Sequence, residues 1–353
     1  MISKKRALSL TVALLGCAAS VAVALSLGAP DDVDSETSAL LEKIKSPDAA
    51  VRTQAICELV DLREAVSDEL KAIVRDANSG LPNSNVAAKA SALYFMGTMG
   101  LVQCRDVLEA ERGWVYHGGL PPHFSGPMRI VGTMKEKGGK TAEYSLRCLR
   151  TGQGASLVAS RPKADLSQYP ALKKALSDLR SVDRKTFDNA ESALLHWYRS
   201  IEQGLDSILT YNSGRLYSAD VKIGAAFLMG EYRTAHFSSA LFENIDIRDD
   251  NNLTANYRSS LAVDTPDSAY PCVVALIKCG RRADFEQIVR KMGDKGCSQE
   301  SRELMARAIQ LIDPKAAKEE LDRYRKYTQT YAAVIPDSAQ ILGRLSSVGE
   351  IIK

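Results

Sequence analysis

The sequence is poor in the residue types and motifs that indicate catalysis. It contains four histidines in 353 residues. It lacks the phosphate-binding loop of nucleotide hydrolases, the Gly-x-Ser-x-Gly turn of serine hydrolases and the His-Glu-x-x-His helix of zinc proteases. These absences weaken the hypothesis of an enzyme without excluding it. We therefore assign no catalytic, cofactor-binding or metal-binding residue from the sequence, and we predict no cofactor.

The seven cysteines form neither a disulfide framework nor a metal-binding signature. Cys272 and Cys279 are seven residues apart, so on one helix their Cα atoms would be about 10 Å apart, too far for a disulfide. We predict that most of the cysteines outside the N-terminal segment are buried free thiols. Pairing of Cys279 with Cys297 stays open.

Basic and acidic residues balance over most of the chain. The formal net charge of +3 equals the three basic residues Lys4, Lys5 and Arg6, and the remaining chain is neutral overall. No long basic patch interrupts this balance, so no field attracts a polyanion. We predict no nucleic-acid partner.

The first 29 residues have the composition of an export signal or membrane anchor. Residues 7–29 contain no charged side chain and follow a basic cluster, an asymmetry that sends the following chain across a membrane. Three outcomes stay open: cleavage after Ala24, retention as an anchor, and lipidation at Cys17, which follows Leu14-Leu15-Gly16. We predict an exported protein of the bacterial cell envelope or periplasm, with a membrane contact if residues 1–29 are uncleaved or lipidated.

Helical spacing of apolar residues dominates the next part of the sequence. After an acidic linker at 30–36, this spacing continues through 37–112. The breaker Ser46-Pro47-Asp48 ends a first helix, and further helices are predicted at 49–62 and 64–75.

The segment Lys45-Ser46-Pro47-Asp48-Ala49-Ala50-Val51-Arg52-Thr53-Gln54-Ala55 resembles the start of a HEAT-type repeat. In that family a Pro-Asp turn precedes a Val-Arg pair, and Ala recurs where helices approach closely. The resemblance implies an α-solenoid of stacked helix pairs. It implies no chemistry.

A recurrence within the sequence supports helical repeats without reference to a family. Four residues recur 133 positions later, and a third copy is suggested by 271–289. We expect the Gly in each copy (Gly97, Gly230 and Gly280) to be the left-handed residue that ends the first helix. The alternative is a bundle of unrelated amphipathic helices. The recurring residues are Lys89, Met96, Gly97 and Leu108, and then Lys222, Met229, Gly230 and Leu241.

Two further regions follow. Gly and Pro pairs interrupt 113–165, and alternating residues at 143–149 and 155–159 favour short strands, so we predict an irregular insert or small β-hairpin. Helical patterns return in 166–353. There Asp313-Pro314 divides two helices and Pro336-Asp337 begins a last one, which would close a repeat array.

The insert is where catalytic residue types gather. His117 and His123 lie six residues apart in a Gly/Pro-rich segment, but a zinc site needs further ligands, and none has suitable spacing. The acidic segment Asp246 to Asn252 suggests at most weak calcium binding, because it lacks the ordered spacing of a calcium loop.

These observations predict a mainly α fold of α-α hairpin repeats, a HEAT-like solenoid, with a small irregular or β insert. The function predicted is that of an exported or membrane-anchored, non-enzymatic scaffold that binds a protein partner. The first alternative is an envelope enzyme or ligand-binding protein that uses His117 and His123. The second is a secreted structural domain whose insert only packs.

Overall fold

The computed structural model describes residues 31–79, 85–116, 140–149, 155–158, 163–210, 217–234 and 238–353. These ranges form a mainly α fold with a small β element, as predicted. Their α-helices are α1 (Asp31–Ile44), α2 (Ala49–Asn78), α3 (Val86–Thr98), α4 (Arg105–Ala110), α5 (Thr141–Cys148), α6 (Pro170–Asp178), α7 (Arg184–Leu209), α8 (Ala219–Tyr232), α9 (Ser238–Glu243), α10 (Pro271–Cys279), α11 (Phe285–Gly293), α12 (Gln299–Ile312), α13 (Pro314–Thr330) and α14 (Ser338–Ser347).

Two predictions for the N-terminal half are wrong. The acidic residues expected in a linker at 30–36 lie from Asp31 onward in α1, because carboxylates near a helix N-terminus are favourable and no breaker follows Pro30. The helices expected at 49–62 and 64–75 are one helix, α2, because no Gly or Pro separates them. Asp48 begins α2 as expected: its carboxylate accepts from the N–H groups of Ala50 and Val51.

The strand expected at 143–149 is also wrong, since this segment lies in α5. Thr141, Ala142 and Ser145 are its buried residues, a helical spacing. The alternation in the sequence is too short to distinguish this face from a strand.

The second strand prediction is confirmed in part. Strand β1 (Ala155–Leu157) pairs antiparallel with strand β2 (Leu261–Val263), with Ser156 opposite Ala262. The partner strand is remote in sequence, so β1 does not belong to a local hairpin of the insert. At three residues, β2 is too short to give an alternating pattern.

The recurrence in the sequence corresponds to a recurrence of helices. Helices α3 and α8 begin at Val86 and Ala219, and helices α4 and α9 begin at Arg105 and Ser238, so both pairs of starts are 133 positions apart. Helix α5 packs against α3 and α4, as α10 packs against α8 and α9. We name α3–α5 the first unit and α8–α10 the second unit.

In both units the first helix ends in the same type of turn. Gly100 after α3 and Arg233 after α8 have positive φ angles of 62° and 49°. The N–H after each of them donates to the carbonyl of Met96 or Met229, at 2.9 Å and 3.1 Å, which is the long bond of a Schellman turn. The turn is therefore duplicated together with the helices.

The glycines of the recurrence have a different role from the one predicted at two of three positions. Gly97 and Gly230 lie inside α3 and α8, where a Cβ would lie 2.5 Å from Ser145 Cα and 2.8 Å from Ala275 Cα. They permit close helix contact within each unit. Gly280 does end α10 in the left-handed conformation, with φ of 62°.

The helices share one core. Helix α1 contacts α2 and α7, α2 contacts α8, and α10 contacts α12, after which α11–α14 pack on one another. Buried apolar residues form a single cluster from Val33 to Ile352. In the described ranges, none of the helices has both the length and the apolar composition needed to cross a membrane. Residues 1–29 lie outside those ranges.

Candidate functional site

The histidines of the predicted insert site lie outside the described residues. His117 and His123 both fall in 117–139, for which the structure gives no placement. Among the residues that are described, no group of three or more His, Cys, Asp or Glu side chains is arranged to hold a metal ion. The alternative function through the two histidines stays a prediction.

The acidic segment considered for calcium has a local role at its most buried residue. The carboxylate of Asp249 accepts from the N–H groups of Leu253 and Thr254, both at 2.8 Å, and from the Thr254 hydroxyl at 2.7 Å. These bonds occupy both carboxylate oxygens in shaping the loop.

The six cysteines in the described ranges are free thiols, and four of them are buried. Cys279 and Cys297 do not form a disulfide: their sulfurs lie 3.7 Å from the carbonyl oxygens of Met229 and Ser298. Burial raises the pKa of the Cys279 thiol to about 12, so it is protonated at neutral pH and is a poor nucleophile.

One half-buried tyrosine, two exposed tyrosines and an exposed valine lie where α13 turns into α14. The rings of Tyr324 and Tyr327 are stacked with centroids 6.4 Å apart, and those of Tyr327 and Tyr331 are 5.0 Å apart. Tyr327 and Tyr331 are 51% and 50% exposed, and Val334 is 78% exposed. We call these four residues the tyrosine face.

The tyrosine face has a rigid base. Tyr324 is half-buried and lies over Gly293 of α11, where a Cβ would approach its ring to 3.4 Å. Arg344 Nε donates to Gly293 O at 2.8 Å, and Arg325 Nη2 donates to Leu345 O at 2.6 Å. These bonds join α11, α13 and α14, so the exposed rings are presented by a packed hairpin.

The chemistry of the tyrosine face suits recognition of another molecule. It combines apolar ring surface with phenol hydroxyl groups, and it extends into the exposed small apolar residues Ala332 and Ala333. Sequence reasoning missed it because tyrosines at i, i+3 and i+7 have the same spacing as a core stripe. The available signal is the run of apolar residues at 331–335, directly before Pro336.

A buried ion pair lies on the second unit. Glu231 of α8 and Lys278 of α10 form a salt bridge and are 0% and 3% exposed. Glu231 also accepts from Ser260 N–H at 2.7 Å and from the Ser259 hydroxyl at 2.5 Å. Burial raises the pKa of Glu231, but the charges of Lys278 and Arg63 and the hydrogen bonds from Lys278 and Ser259 outweigh it and leave the pKa below its ordinary value. The pair fastens the chain before β2 to the helices, a structural role.

No family model, curated protein or solved structure matches this chain. The resemblance of residues 45–55 to a HEAT-type repeat therefore stays a prediction. Among the described residues, the tyrosine face is the most exposed apolar group.

Proposed function

We propose that this chain is an exported, non-enzymatic helical-repeat scaffold that binds a protein partner through the tyrosine face. The observation that supports this is the exposure of Tyr327, Tyr331 and Val334 on a rigid hairpin. Tyrosine is enriched among the residues that dominate binding energy, because its ring provides apolar area with few rotatable bonds. An ordered aromatic surface also loses little conformational entropy on binding.

The exposed apolar residues of the tyrosine face favour binding over capping. A hairpin that only closes a repeat array has a polar outer face. Here the connection between α13 and α14 exposes Tyr331 and Val334 instead. Contiguous apolar surface of this kind marks interaction sites on soluble proteins. We therefore expect a partner that offers apolar side chains surrounded by hydrogen-bond acceptors.

Site-specific crosslinking tests the tyrosine face. A benzophenone amino acid in place of Tyr331, in the full chain expressed in bacteria, is expected to give a crosslinked product of discrete mass on irradiation. Changing Tyr327→Ser and Val334→Ser in the same chain removes most of the apolar contact, and we expect the yield to fall at least about tenfold, as for loss of two central contacts. Yield is measured by immunoblot and the product by mass spectrometry.

The matched control places the same amino acid at Val182, which is exposed before α7 and lies outside the tyrosine face. Equal products from positions 182 and 331 would contradict the proposal, as would a product that survives the two serine substitutions. Thermal unfolding of each purified variant checks that the fold is kept.

Export is tested with a reporter that is active only after translocation. Alkaline phosphatase fused to the C-terminus should be active in whole bacterial cells and lose at least about tenfold activity when residues 1–29 are deleted, because the basic cluster and the apolar run direct translocation. Intact-mass measurement of the membrane and soluble fractions separates cleavage after Ala24, retention, and lipidation at Cys17. Activity that does not depend on residues 1–29 would contradict export.

A further inference from the structure

A cavity of about 300 Å³ lies where the turns of the two units meet. Its wall includes Arg199 of α7, Arg233 after α8 and Arg281 after α10, and we call it the arginine cavity. None of the described residues that line it is acidic. Its size is at the lower end of small-molecule sites.

The close contact of the two duplicated turns places Arg233 at the cavity. A Cβ on Gly100 would lie 2.8 Å from Arg233 Cβ, so the glycine lets the second turn approach the first. The Arg233 side chain is buried, and it donates from Nε to Lys278 O at 2.8 Å and from Nη2 to Cys279 O at 3.0 Å. These bonds fix the guanidinium group at the C-terminus of α10.

The other two arginines have donors available at the cavity. Arg281 Nη1 is buried and has no hydrogen-bond partner among the described residues. Arg281 Nε forms an ion pair with Asp284 Oδ2, but the distance of 3.8 Å is beyond hydrogen-bond length. Arg199 is exposed at the cavity mouth and makes neither an ion pair nor a hydrogen bond with the described part of the chain. A buried N–H of this kind is a donor that water or an anion in the cavity can satisfy.

One wall of the cavity is aromatic. The rings of Tyr94 in α3 and Tyr144 in α5 are stacked, with centroids 6.0 Å apart and planes 4° apart. Burial raises the pKa of Tyr144 to about 12, so its hydroxyl group is neutral at physiological pH. The wall therefore adds a flat apolar surface beside the positive charges.

We propose that the arginine cavity binds a small compound that bears an oxyanion, a phosphate or carboxylate group, on an apolar or aromatic body. The guanidinium groups of Arg199 and Arg281 donate hydrogen bonds to the oxyanion, and the buried guanidinium group of Arg233 adds positive charge. The rings of Tyr94 and Tyr144 contact the apolar or aromatic part of the compound. Arg281 has only a long ion pair with Asp284, and Arg199 has none with the described residues, so an oxyanion gains charge-assisted hydrogen bonds from both. Arginine suits this task because its planar donors match the oxygens of phosphate and carboxylate.

Calorimetric titration of the purified full chain with phenyl phosphate, benzoate and inorganic phosphate tests this. Saturable binding of phenyl phosphate or benzoate at one site per chain is expected, with inorganic phosphate weaker because it lacks a ring. Stronger binding of phenyl phosphate assigns the oxyanion as phosphate, and stronger binding of benzoate assigns it as carboxylate. No saturable binding of any of the three at up to about 10 mM, which corresponds to less than ~3 kcal/mol of binding free energy, would overturn the proposal.

Arg199→Ala is expected to weaken binding at least about tenfold, the loss of one charge-assisted hydrogen bond. Arg199 is exposed and has no partner among the described residues, so its replacement should leave the fold unaffected. Arg281→Lys keeps the charge but removes the forked donors, and it should weaken binding as well.

Arg290→Ala is the matched control, because this exposed arginine of α11 pairs with Glu286 and does not line the cavity. Equal affinities in Arg199→Ala and Arg290→Ala would overturn the proposal. Neither result depends on the tyrosine face, so this test and the crosslinking test can fail separately.

Discussion

Replacing Lys278 by Met is expected to lower the free energy of unfolding by about 3–5 kcal/mol. The substitution leaves the Glu231 carboxylate, which is 0% exposed, without its ion-pair partner, and Arg63 is then the positive charge that still acts on it. The hydrogen bonds from Ser259 and Ser260 remain, but they do not compensate a full charge at that depth. Because the unpaired carboxylate destabilises the folded state, the free energy of unfolding falls by more than the contribution of the contacts that Lys278 itself makes.

Urea unfolding at pH 7 measures this effect. The exposed pair Lys174 and Asp178 provides the control, since Lys174→Met should change stability by less than about 0.5 kcal/mol. The double variant Glu231→Met with Lys278→Met should be more stable than Lys278→Met alone, because no buried charge is left over. A cost below about 1 kcal/mol for Lys278→Met, or a double variant less stable than the single one, would contradict a buried ion pair.

Local sequence signals predicted the helical fold where breakers and caps are strong. Pro314 begins α13 and Asp48 caps α2, as expected from the positions of Pro and Asp at helix starts. The recurrence of Lys89, Met96, Gly97 and Leu108 also indicated a structural duplication, although it placed the left-handed residue at the wrong glycine. The turn itself lies at Gly100, and Arg233 fills that place in the second unit.

The candidate sites depend on contacts between residues that are remote in sequence. Arg199, Arg233 and Arg281 line one cavity, although each is separated from the next by more than a helix. No periodicity or spacing rule connects such residues, because their contact is a property of how the helices pack. The ion pair of Glu231 and Lys278 could not be predicted from the sequence either, because α8 is buried on nearly all sides and has no charged face.

Gly97→Ala is expected to cost about 3 kcal/mol of unfolding free energy, at the upper end for an overpacked core. The added methyl group would lie 2.5 Å from Ser145 Cα, a backbone atom, so α3 and α5 have to separate. Removing the neighbouring side chain by Ser145→Gly should not restore stability, because the Cα itself is in the way. Gly230→Ala should behave similarly, since its methyl group would lie 2.8 Å from Ala275 Cα at the equivalent contact of the second unit.

Gly343→Ala in α14 is the matched control. No atom lies within 4 Å of the position its Cβ would take, so the higher helix propensity of Ala should raise stability by about 1 kcal/mol. Denaturant unfolding of the three variants should then show that the same change from Gly to Ala lowers stability at positions 97 and 230 and raises it at position 343. A stabilising Gly97→Ala would mean that α3 and α5 do not approach closely. If Gly97→Ala and Gly230→Ala lower stability by similar amounts while Gly343→Ala does not, the helix contacts of the two units are equivalent in energy as well as in geometry, as expected of a structural duplication.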